Sequence, residues 1–225
     1  GNAFYGMDIT KVEDKPKLLW KFKDDIHSGQ SWGKPVIARV RLQDPDDSSR
    51  VITKWAALVP GGFAFNSENP NNLEGKALFM VDAATGELLW KIAYDPLNGA
   101  EDTANADTEI VEVNNDIPNQ HLTRSDRFNF PLPSALTVVD KDNDGYMDTI
   151  YYGNTGGHLF KTDLSNPDMK EWTTYLLYKS EITTKGQSTI DNIVEGEQFT
   201  QITAPDKVFE VGDGIRGMTS YATGY

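Results

Sequence analysis

Three tryptophans mark a repeat that constrains this chain more than any other feature of it. An aromatic residue, two others and an aspartate recur as Tyr5-Gly6-Met7-Asp8, Phe79-Met80-Val81-Asp82 and Phe160-Lys161-Thr162-Asp163. A turn-rich stretch and then a tryptophan follow each one, at Trp20, Trp90 and Trp172, about 70 and about 80 residues apart. The first two lie in nearly identical strings, Leu18-Leu19-Trp20-Lys21-Phe22 and Leu88-Leu89-Trp90-Lys91-Ile92. Self-similarity at intervals this close means that one supersecondary unit is used several times, each copy burying its faces against the next.

Between these markers run further short segments. Residues 34–40, 132–139 and 204–211 each hold a proline near the start and then β-branched residues. Trp55-Ala56-Ala57-Leu58-Val59, Thr149-Ile150-Tyr151-Tyr152-Gly153 and Met218-Thr219-Ser220-Tyr221 come next. Runs rich in Val, Ile, Tyr, Phe and Thr and bounded by Gly, Pro, Asn and Asp read as strands. No apolar stripe of period 3.6 is long enough for a three-turn helix. The expected fold is all-β: a partial β-propeller with four-stranded blades and long inter-strand loops. A β-sandwich is the rival, but it leaves the tryptophan repeat unexplained.

The register predicts two complete blades, 34–91 and 132–178, with half-blades at each end of 1–225. Two and two halves cannot close a ring, so edges at 3–8 and 218–221 are expected to need the remainder of a longer chain, or a partner, to cover them. The repeat is longer than a compact blade, which predicts an Asn-rich loop at 66–76 and an acidic insertion at 95–127, the latter read as a solvated loop.

With 21 Lys+Arg against 34 Asp+Glu, the formal charge is −13. Such a surface repels phosphate backbones, which argues against nucleic acid as a partner, and it suits divalent cations. There is no cysteine, hence no thiolate metal site. No run approaches the roughly 18 apolar residues of a membrane helix. No basic-then-apolar leader opens the sequence, so any secretion signal is expected outside this stretch.

The most specific chemical motif is Asp140-Lys141-Asp142-Asn143-Asp144-Gly145-Tyr146-Met147-Asp148. Its aspartates stand at positions one, three, five and nine, so a tight loop turns them toward one point. Calcium takes six to eight oxygens at about 2.3–2.6 Å in flexible geometry. The expected ligands are Asp140, Asp142, Asp144, the Tyr146 carbonyl and Asp148, with Gly145 making the turn. The loop differs from an EF-hand: position twelve is Tyr151, and strands flank it. Without a cation, four clustered carboxylates repel one another. The matching loop of the preceding blade, 42–50, carries Pro45, Arg50 and no glycine, and is expected to hold no metal. Its counterpart at 212–214 is too short.

Other constellations fail. His27, His121 and His158 have no metal-ligand spacing, and His158 is expected to be an ordinary strand-edge residue. Gly153-Asn154-Thr155-Gly156-Gly157 precedes a strand, where a phosphate cradle requires a helix. No nucleophile elbow, P-loop or zinc-protease motif occurs, so no catalytic residue is expected.

Several strings resemble the C-terminal propeller of the PilY family of type IV pilus biogenesis factors and adhesins. They include Met7-Asp8-Ile9-Thr10, Ser31-Trp32-Gly33-Lys34-Pro35-Val36, residues 77–86 and, most closely, 139–163 with the acidic loop. Gln201-Ile202-Thr203-Ala204-Pro205 and Thr223-Gly224 echo later family motifs. The resemblance carries over the same calcium ligands. It implies a secreted, cell-surface, non-enzymatic protein associated with pilins, minor pilins or host and surface ligands, whose calcium loop modulates pilus extension, retraction or attachment. Residues 81–90 also look like the tryptophan-docking repeat of pyrroloquinoline-quinone dehydrogenases, though that repeat is structural and their adjacent cysteine pair is missing here. A generic protein-binding propeller of the outer-membrane assembly type is a third reading.

Overall fold

The computed structural model describes residues 1–179 except 12, 14, 66–68, 70 and 102–109, and also the backbone of two strands at 208–211 and 214–218. Residues 219–221 of the expected strand 218–221, residues 212–213 of the short loop 212–214 and the motifs at 201–205 and 223–224 lie outside the described residues, as do parts of the 66–76 and 95–127 loops. Among the described residues there is no α-helix, only one 3₁₀ turn at Met169–Glu171.

The chain forms thirteen described strands: β1 Phe4–Asp8, β2 Lys17–Phe22, β3 Val36–Gln43, β4 Val51–Pro60, β5 Ala77–Asp82, β6 Leu88–Tyr94, β7 Gln120–Thr123, β8 Thr137–Val139, β9 Thr149–Gly153, β10 His158–Asp163, β11 Thr173–Lys179, β12 Val208–Val211 and β13 Gly214–Met218. They make a hairpin β1-β2, a five-stranded sheet β3-β4-β5-β6-β7, a four-stranded sheet β8-β9-β10-β11 and a second pair β12-β13. Neighbours are antiparallel throughout except β6 and β7, which run parallel. The class is all-β, with several sheets and no closed barrel among the described residues, as a partial propeller requires.

Alternation explains how these sheets stack. On β4, β5 and β6, Leu58, Leu78, Met80, Trp90 and Ile92 face a core shared with Ile150, Tyr152, Phe160 and Leu176 of the four-stranded sheet. The intervening residues Ala57, Val59, Ala77, Phe79, Val81 and Ala93 face a second core with Phe22 of the β1-β2 hairpin. The middle of the five-stranded sheet is thus covered on both faces, and β5 is buried at every residue. This is why β5 reads as a nearly continuous apolar run. Trp90 and Trp172 meet edge to face, 5.2 Å between centroids, where the two larger sheets join.

Two sequence expectations need correcting. The 95–127 insertion is not simply a solvated loop: it adds β7 alongside β6 and buries Val111 and Leu122. Its acidic content hid these apolar residues, and a four-residue strand is too short to show a period. His158 is no edge residue either. It opens the interior strand β10 and is buried, its Nδ1 3.2 Å from Asn154 Oδ1.

Candidate metal centre

β8 and β9 pair antiparallel with Val139 opposite Thr149, so residues 140–148 must reverse the chain on themselves. Two positive-φ residues make the reversal, Asn143 at 61° and Gly145 at 87°. A β-carbon on Gly145 would meet nothing nearer than an Arg39 nitrogen at 3.9 Å. Conformation, not space, therefore calls for glycine there.

The loop's own N–H groups draw its carboxylates inward. Asp140 accepts from Gly145 N–H at 2.8 Å and from Asp144 N–H at 3.2 Å, and Asp142 accepts from Asp144 N–H at 3.1 Å. Asp148 Oδ2 accepts from Lys141 N–H at 2.7 Å. As a result Asp140, Asp142 and Asp148 each bring an oxygen within 4.8 Å of the others. Oxygens about 2.3–2.6 Å from one calcium ion can be no more than about 5 Å apart, so the separations suit such an ion. The donors are hard oxygens with no imidazole or thiolate, the set that favours calcium or magnesium over zinc or copper.

Asp148 is 5% exposed. Burial, followed by the charges of Asp142, Asp144 and Asp140, pushes its carboxyl above the usual carboxylate value. Its second oxygen accepts no hydrogen bond among the described residues. The Tyr146 carbonyl likewise accepts no backbone hydrogen bond among them.

The loop does not gather all four aspartates. Asp144 lies outside the cluster. One of its oxygens accepts from Tyr146 N–H at 2.9 Å, and the other is 2.9 Å from Arg41 Nη2 on β3. The Tyr146 ring lies under two guanidinium groups, Arg39 at 4.3 Å and Arg41 at 5.0 Å. Met147 N–H donates to the Arg39 carbonyl at 2.9 Å. The acidic loop of one sheet is therefore fastened to the edge strand of the next. Sequence reasoning missed these arginines; the available signal was their alternate spacing, which puts both on one face of β3.

The related loop at 42–50 is built differently. Asp44 is bound by the Arg50 guanidinium, with Arg50 Nε at 2.6 Å, and accepts from Asp46 N–H at 2.9 Å. The three histidines lie in separate places. His27 meets the Tyr94 carbonyl, His121 stacks edge-on against Trp90, and His158 meets Asn154. Burial lowers the His121 pKa to about 4.

Fold and loop together define an all-β protein with an acidic, strand-joining cluster that could hold a metal ion. No family model matches the chain. It is 29% identical over 179 residues to a "Type IV pilus biogenesis factor PilY1 homolog" of Xylella fastidiosa (strain Temecula1 / ATCC 700964), a match covering 76% of this chain and 10% of that protein. The chain thus spans about a tenth of the length of the curated relative it matches. Among solved structures, the C-terminal domain of Pseudomonas aeruginosa PilY1 is 22% identical, with a TM-score of 0.45 over 73% of this chain and 25% of that one. The resemblance to the PilY family read from the motifs holds.

Proposed function

We propose that this chain is a calcium-binding propeller segment of a type IV pilus biogenesis or adhesion protein, with no enzymatic activity of its own. The observation that carries this reading is the convergence of Asp140, Asp142 and Asp148 within 4.8 Å in a loop joining two strands. The pilus half of the reading rests on likeness to the Xylella PilY1 homolog. Asp144 and the Tyr146 carbonyl complete the ligand set, and water fills the remaining positions. Strands β3 to β6 are read as the blade 34–91 and β8 to β11 as the blade 132–178, with β1-β2 and β12-β13 as half-blades. The protein acts at the bacterial surface, where calcium occupancy of the loop modulates pilus extension, retraction or attachment through pilins, minor pilins or surface ligands. No described helix is long and apolar enough to cross a membrane.

An ion that binds only the folded state stabilises it by about 2.7 kcal/mol at a hundredfold excess over Kd. Calorimetric titration and thermal melts in calcium should therefore show binding and a raised Tm for the wild type. Asp140→Ala should abolish both, and Asp44→Ala should leave the calcium response unchanged. A wild type with no heat of binding and no thermal shift in millimolar calcium would overturn the metal reading. For the pilus reading, Asp140→Ala in the full-length protein should alter calcium-dependent surface piliation; unchanged piliation across calcium concentrations would sink it.

A further inference from the structure

The contact that removes Asp144 from the cluster comes from another sheet. Arg41 Nη2 sits 2.9 Å from Asp144 Oδ2, with the arginine side chain 39% and the aspartate side chain 28% exposed. Asp144 Oδ1 is also occupied, by Tyr146 N–H. Both oxygens of the fifth-position carboxylate thus have partners while the other three carboxylates converge. Asp148 is buried, and its Oδ2 accepts from Lys141 N–H, inside the loop itself.

We propose that Arg41 is a resident competitor of the metal ion: it holds Asp144 away from the cluster and thereby weakens divalent-cation binding. This rests on the calcium reading above and names the residue that sets the affinity. A cation entering the cluster draws Asp144 toward itself, and the Arg41 contact must break as it does so. Occupancy is then felt on β3, in the neighbouring sheet, because the same arginine changes partner.

An exposed ion pair contributes modestly, so the effect is a tuning of affinity. Titrating calcium into Arg41→Met should give a Kd about two- to fivefold lower than wild type. Arg41→Lys keeps the charge without the planar fork and should fall between the two. Asp144→Asn should bind calcium more weakly, and adding Arg41→Met to it should give no further tightening, because the two residues act through one contact. Melts in chelator show which variants are folded, and Arg41→Lys carries the test if Arg41→Met is not. If wild type binds calcium and Arg41→Met binds equally or less tightly, the competitor idea falls and the metal reading stands. Equal tightening by Arg41→Met with and without Asp144→Asn also overturns it, since only a general charge effect remains. If neither wild type nor Arg41→Met binds, both ideas fall together.

Discussion

At Asp148, burial and charge act in the same direction. Its carboxyl is raised first by burial and then by Asp142, Asp144 and Asp140. A carboxyl with a raised folded value binds more protons folded than unfolded between the two values. Its contribution to stability is therefore fully present below the unfolded value and is lost as pH rises through the folded one. At neutral pH without calcium, the ionised group works against the fold. Asp148→Asn should then raise the Tm in chelator at pH 7, with the gain shrinking as pH falls toward 3.8. In calcium the same variant should lose most of its metal-dependent stabilisation. Paired melts across pH, with and without calcium, check this; an Asn variant less stable than wild type in chelator at pH 7 would contradict it. Asp140, Asp142 and Asp148 could be picked out in the sequence because alternate spacing in a short loop sets their direction. The diversion of Asp144 could not, because Arg41 lies about a hundred residues away and meets it only through sheet stacking.

Among the elements, the β1-β2 hairpin depends most on its neighbour, since a two-stranded hairpin is marginal alone. Neither β1 nor β2 has a second strand partner among the described residues. The hairpin is anchored by Trp20, whose Nε1 donates to the Ala83 carbonyl at 2.9 Å in the turn between β5 and β6. Gly86 in that turn has φ +76°, and a β-carbon there would lie 2.6 Å from the Trp20 ring. Gly86→Ala therefore meets both backbone strain and a clash with the anchor. It should destabilise the hairpin by more than about 1 kcal/mol. Hydrogen exchange should speed up in β1 and β2 while β4 and β5 keep their protection. Unchanged exchange in β1 and β2 would show that the tryptophan does not anchor them. The tryptophan repeat singled out Trp20 in the sequence, but the turn on which it docks is set by tertiary packing. β7 gave no such sign: Gln120–Thr123 has neither length nor alternation, and its parallel place beside β6 is set by tertiary packing.

Across the whole molecule, the two larger sheets share a single core, which predicts that they melt as one. Trp90 is fully buried at their junction, edge-on to Trp172 at 5.2 Å and to His121 at 5.4 Å. Truncating a buried tryptophan costs about 3–5 kcal/mol through lost burial and the cavity left behind. Trp90→Ala should therefore lower the Tm substantially. Because Trp172 loses its partner as well, the loss should reach β9, β10 and β11 as much as β4, β5 and β6. Calorimetry should show one transition shifted downward, and hydrogen exchange should show protection falling together in both sheets. Two separated transitions, with the four-stranded sheet melting at its wild-type temperature, would mean that the sheets are independent. Calcium held in the loop between β8 and β9 would then stabilise its own sheet without reaching the rest of the chain.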